Sequence, residues 1–115
     1  MKINVLGTDY EFIVANDEDV IKNMEDIDGL CNVFDKEIVV RDAKYVATDA
    51  SSASGKLNAM DTVLRHEIVH AVMYESGFGA YDDEDLVDWI ARMIPKIELI
   101  FDKIKHEVKK EEENP

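Results

Sequence analysis

The stretch from Leu57 to Ser76 constrains this chain more than any other. Its residues Leu57, Met60, Leu64, Ile68, Ala71 and Val72 recur at helical spacing, which predicts a helix with one wide apolar stripe. Val63, Val69 and Met73 extend apolar surface to the other side, so the helix is expected at the centre of the fold, with water access to that side restricted. Gly77 and Gly79 supply its stop. His66, Glu67 and His70 sit on this helix. Side chains four positions apart lie one turn above the other, so both imidazoles can reach one metal ion. Glu67 stands about 100° around the helix from His66. It is placed poorly to bind the same ion and well to act on a water held there as a general base.

The pattern H-E-x-x-H on a helix is the zinc metalloprotease signature, in which a tetrahedral ion takes two histidines, a third protein ligand and a water. Candidates for that third ligand lie downstream. Glu75 is about 140° around the helix from His70 and is expected to point away, on the surface. A histidine ligand in the longer pattern H-E-x-x-H-x-x-G-x-x-H is excluded by Met73 and Ser76. His106 is too far along the chain and reads as a partly exposed helix residue. Asp82, Asp83, Glu84 and Asp85 open the next helix, and Asp88 follows. Any of these five could serve, or could simply cap a helix and face solvent. Glu84 and Asp88 share a face, which offers one carboxylate to a metal and one to the histidine behind it.

Around this centre, Lys2 to Leu6 and Tyr10 to Ala15 read as a β-hairpin turning at Gly7-Thr8-Asp9. Asn16-Asp17 can cap a short helix bearing Val20, Ile21, Met24 and Ile27. Asp28-Gly29 reads as a turn, and Glu37 to Arg41 as a third strand. Residues 42–56 have loop composition. After Asp82-Asp83, the residues Leu86, Ile90, Met93, Ile97, Ile100, Ile104 and Val108 repeat at steps of four and three, predicting a long C-terminal helix. Pro95 falls inside it, so a kink or two abutting helices are expected. Residues 108–115 read as a frayed, charged tail. The expected fold is α+β, one domain over residues 1–115: a small sheet of three or more strands against a central H-E-x-x-H helix and a long, kinked C-terminal helix.

Charge narrows the partners. With 26 acids against 13 bases the formal net charge is −13, which repels nucleic acid and anionic membrane surfaces. No apolar run approaches the roughly 20 residues of a membrane span. Asp9 and Glu11 interrupt any signal-peptide core, and the single cysteine, Cys31, suits a reducing compartment. A cytoplasmic location is expected.

His66-Glu67-x-x-His70 followed by Glu84-x-x-x-Asp88 resembles the gluzincin clan of zinc peptidases. The surroundings, Glu84 to Ala91 with Pro95 beyond, are also similar to compact zincin domains of phages and mobile elements, some of which cleave a repressor. The resemblance covers roughly residues 37–95. It implies one Zn²⁺ per chain held by His66, His70 and Glu84, with Asp88 orienting the first histidine and Glu67 as general base. It also implies that the strand Glu37 to Arg41 is the edge beside the active-site helix, where an extended peptide or protein substrate, in the narrowest case one dedicated protein, would pair by β-addition. Tyr74, Tyr81 and Tyr45 are the available oxyanion candidates. The alternative is a non-catalytic metal-binding or protein-interaction domain that keeps zinc for structure.

Overall fold

A computed structural model describes residues 1–113. Strands β1 (Lys2–Val5) and β2 (Thr8–Ala15) form the expected hairpin, joined at Leu6-Gly7, both with positive φ. That pair of left-handed residues makes a two-residue turn whose twist matches the flanking strands, and it moves the turn one step ahead of the expected Gly7-Thr8-Asp9. The short helix α1 (Glu18–Asn23) is capped by Asp17, whose carboxylate accepts from the Asp19 amide. It ends before Ile27, because Glu25 turns left-handed.

The sheet has a fourth member. Gly29–Asn32 forms β3 and Glu37–Arg41 forms β4. The order is β1-β2-β4-β3, antiparallel within the outer pairs and parallel between β2 and β4. This corrects two expectations. Gly29 begins a strand rather than completing a turn, and β4 lies inside the sheet, leaving β3 as the edge on that side and β1 as the opposite one. The burial of three successive residues, Ile38, Val39 and Val40, suits an internal strand covered on both faces. Ile38 packs with Tyr10, Val5 and Ala71 on one face, while Val39 packs with Ala15 and Met24 on the other.

Helix α2 runs from Ala53 to Glu75, starting about one turn before the expected Leu57. Ser52 caps it by accepting from the Gly55 amide, so the serine-rich stretch read as loop is in part a helix start. As expected, α2 is central: Ala71 meets the sheet, and Val69 and Met73 meet Val87 and Ala91 of α3 (Glu84–Glu113). Helix α3 is continuous through Pro95. Two abutting helices are not found. Residues 108–113 of the expected frayed tail are helical, and residues 114 and 115 lie outside the described residues. The fold is thus mixed α+β, an open four-stranded sheet with two long helices. None of the described helices is long and apolar enough to cross a membrane.

Glu75, expected on the surface, is half turned into the fold. Its carboxylate accepts from Thr8 Oγ1, Tyr10 Oη and Lys36 Nζ at 2.8, 2.6 and 2.9 Å, which ties the end of α2 to the sheet. The correct part of the expectation is that it belongs to none of the groups around the histidines.

Candidate metal centre

The helical spacing brings His66, Glu67 and His70 together: one ligand atom from each lies within 4.8 Å of the others. Packing of α3 on α2 adds Glu84. Its Oε2 stands 2.8 Å from His66 Nε2 and its Oε1 3.0 Å from His70 Nε2, while the two Nε2 atoms are 3.2 Å apart. Of the five acids that could have served, only Glu84 touches both imidazoles. Asp82 lines the neighbouring cleft, and Asp88 stands behind His66, its Oδ1 3.5 Å from Nδ1. Arg92 Nε donates to the other Asp88 oxygen at 2.8 Å. That bond, ahead of the histidine's contribution, holds the Asp88 carboxyl below the usual range.

Hydrogen bonding decides which nitrogen of His70 points into the cluster. Its Nδ1 lies 2.6 Å from the Tyr81 carbonyl oxygen, which can only accept, so Nδ1 carries the proton. The lone pair of neutral His70 is then on Nε2, which lies 3.2 Å from His66 Nε2 and 3.0 Å from Glu84 Oε1. Two acceptors 3.0 Å apart repel unless a positive charge lies between them. A shared proton or a metal ion removes that repulsion. Tetrahedral zinc with bonds of about 2.0–2.1 Å has ligand atoms about 3.3 Å from one another, a few tenths of an ångström wider than the separations found here. The donor set, two imidazoles and a carboxylate with an outer carboxylate and a backbone carbonyl orienting the rings, fits zinc.

Glu67 is 7% exposed and His70 8%, whereas the Glu84 side chain is 70% exposed. The cluster is therefore buried from below and open on the Glu84 side. No hydrogen-bond partner engages the Glu67 side chain among the described residues. Burial raises its carboxyl above the ordinary range, against the lowering effect of His66 and His70. Two depressions flank it. One of about 360 Å³ is walled by Leu30, Cys31, Val33, Glu67, His70 and Tyr81; the other, about 290 Å³, lies by Thr62, Val63, His66, Glu67 and Asp88. Ile27 and Gly29 border both.

Of the three tyrosines considered, only Tyr81 reaches the cleft walls. Tyr74 packs edge-on against it with ring centroids 4.9 Å apart, and Tyr45 lies in the short 3₁₀ turn Ala43–Tyr45 before α2. His106 is on the outer part of α3 with Lys109 and Lys110, remote from the cluster. Sequence reasoning missed the Tyr81 carbonyl and Gly29, since a main-chain acceptor leaves no mark on residue type and the Asp-Gly pair resembles a turn. No family model, curated protein or solved structure was found to match the chain.

Proposed function

We propose that the chain is a zinc-dependent peptidase of the gluzincin type that its motifs resemble, with a zincin-like arrangement of sheet edge, α2 and α3. In this reading His66, His70 and Glu84 hold the ion, Asp88 and the Tyr81 carbonyl orient the two rings, and Glu67 is the general base. The observation that carries it is the convergence of the two Nε2 atoms and both Glu84 oxygens within 2.8–3.2 Å, beside a carboxylate that nothing else engages.

When bound, zinc supplies Lewis acidity toward a water and the scissile carbonyl. Glu67 takes a proton from the attacking water as the oxygen–carbon bond forms, then returns it to the amide nitrogen as the carbon–nitrogen bond breaks. One carboxyl group thus accepts and releases the same proton. The edge strand next to this carboxylate is β3, so an extended peptide would pair there rather than on β4. The short cleft leaves few positions for side-chain recognition, which supports action on a narrow set of peptides or one dedicated protein substrate.

Elemental analysis tests the site first. About one zinc per chain is expected in the wild-type protein and far less in Glu84→Ala. Digestion of a peptide library, read by mass spectrometry, tests the reaction; Glu67→Gln should retain zinc and lose cleavage. A wild-type protein that holds no zinc after loading and removal of excess would end this reading, and zinc without cleavage would leave a non-catalytic metal domain.

A further inference from the structure

The cleft beside Glu67 is short: followed outward along β3, its lining stops at Val33, and Tyr81 forms another part of its wall. Tyr81 is the inner end of a row of three aromatic rings. It packs edge-on against Tyr74 with ring centroids 4.9 Å apart, and Tyr74 packs edge-on against Phe34 at 5.8 Å. The row therefore runs from the cleft to the turn between β3 and β4. Tyr74 and Tyr81 are half-buried, whereas Phe34 is 75% exposed, the highest value among the exposed large apolar side chains of the described residues. One exposed aromatic ring by itself needs no explanation, but this one is held out by its backbone. Asn32 Oδ1 accepts from the Phe34 and Asp35 amides at 3.1 and 2.9 Å, and Asn32 Nδ2 donates to Asp35 Oδ2 at 3.0 Å. Lys36 follows with a positive φ, its ammonium 2.9 Å from Glu75 Oε2 and 4.8 Å from the Tyr74 ring centroid. A ring presented on a tied turn loses little conformational freedom when a ligand covers it.

The free edge of β3 leads to this ring. Across the β3–β4 pair the Arg41 amide donates to the Asp28 carbonyl. With Leu30 opposite Val39 and Asn32 opposite Glu37, the alternation of an antiparallel pair then turns the main-chain groups of Leu30 and Asn32 toward β4 and those of Gly29 and Cys31 outward. Gly29 is also the residue whose backbone lies against Glu67. A peptide paired on this edge thus has its scissile bond near Gly29, and Phe34 stands five residues farther along the chain. Both strands rise about 3.3 Å per residue, so the peptide residue about four or five positions from the scissile bond comes level with Phe34, whichever way the peptide runs.

We infer that Phe34, backed by Tyr74, is a specificity-determining residue that receives a large apolar or aromatic side chain of the substrate, about four or five residues from the bond that is cut. The inference rests on the peptidase reading above, with β3 as the edge that takes the peptide. Phe34 selects which peptides bind and takes no part in bond cleavage, because it lies beyond the residues that line the cleft. A large apolar side chain gains burial and ring contact there, and a small or polar one gains neither.

Digestion of a peptide library by the zinc-loaded protein, with both flanks of every cut read by mass spectrometry, tests it. Phenylalanine, tyrosine, tryptophan and leucine should be enriched at that distance on one flank, and Phe34→Ala should abolish the enrichment while zinc content and thermal transition match the wild type. On one peptide from the enriched set, Phe34→Ala should lower kcat/KM about tenfold, through KM rather than kcat, and Phe34→Tyr should restore most of the loss. Shortening that peptide so that it ends before the aromatic residue should slow the wild-type protein by the same factor. The two losses should not add, because each removes the same contact; a merely structural role for Phe34 gives losses that do. Cleavage without the enrichment, an unchanged kcat/KM in Phe34→Ala, or additive losses each overturn the role of Phe34 and leave the peptidase reading standing. No cleavage of any peptide by the zinc-loaded wild type overturns both.

Discussion

The backbone of Gly29 lies directly against Glu67: a Cβ built on this glycine would stand 2.9 Å from Glu67 Oε2 and 2.6 Å from Val63 Cγ1. The edge strand can cross the buried carboxylate only because residue 29 has no side chain. Gly29→Ala should therefore shift Glu67 and strain Val63, destabilising the fold by about 1–3 kcal/mol. Zinc content should stay near that of the wild type while any cleavage activity falls at least tenfold. Loss of the metal with Glu67 unmoved would show that Gly29 supports the ligands instead.

Asp88 is held between Arg92 and the Nδ1 of His66. Removing such an outer acceptor commonly weakens metal binding by about 10–100-fold. Asp88→Ala should show a loss in that range by competition with a chelator, and Asp88→Asn, which keeps an acceptor oxygen, a smaller one. Equal affinity in Asp88→Ala and the wild type would remove Asp88 from the centre.

Glu75 gives the fold an acid-sensitive tie. Hydrogen bonds from Tyr10, then Lys36 and Thr8, hold its carboxyl at a pKa of about 2. A pKa below that of the unfolded chain means that the ionised group stabilises the folded state above the ordinary carboxylate range, and that this contribution is lost as pH falls through that range toward 2. The stability difference between wild type and Glu75→Gln, from denaturant midpoints, should be greatest at neutral pH and shrink steadily below about pH 5. A difference that does not change with pH would contradict the assignment.

Cys31 sits in β3 with its thiol pushed up to about 12, first by burial and then by Glu67 and Glu75. Against an ordinary thiol, the loss of thiolate outweighs its gain in nucleophilicity, leaving alkylation at pH 8 slower by about 30-fold. The rate with iodoacetamide, compared with the same protein in denaturant, measures this. Rapid labelling of the folded protein would mean that β3 opens away from the cleft.

What could be read from the chain alone was whatever depends on neighbours in sequence. The repeat of apolar residues specified α2 and α3, and the four-residue step between His66 and His70 placed both rings on one face, because helix geometry converts spacing directly into direction. The Glu84–Asp88 pair could be proposed for the same reason. Its contact with the histidines could not be decided there, since Asp82, Asp83 and Asp85 were equally close in sequence and the turn from residue 76 to 83 sets the approach of α3. Packing of Val87 and Ala91 against Val69 and Met73 chose Glu84. Strand order was likewise invisible: the four residues of β3 carry too little alternation to stand out, and pairing of Cys31 with Ile38 is a long-range choice made by the hydrogen bonds and apolar contacts of the assembled sheet. That choice moved the edge from β4 to β3 and laid Gly29 over Glu67. Local spacing determined which side chains could act together, and tertiary packing decided which of them meet.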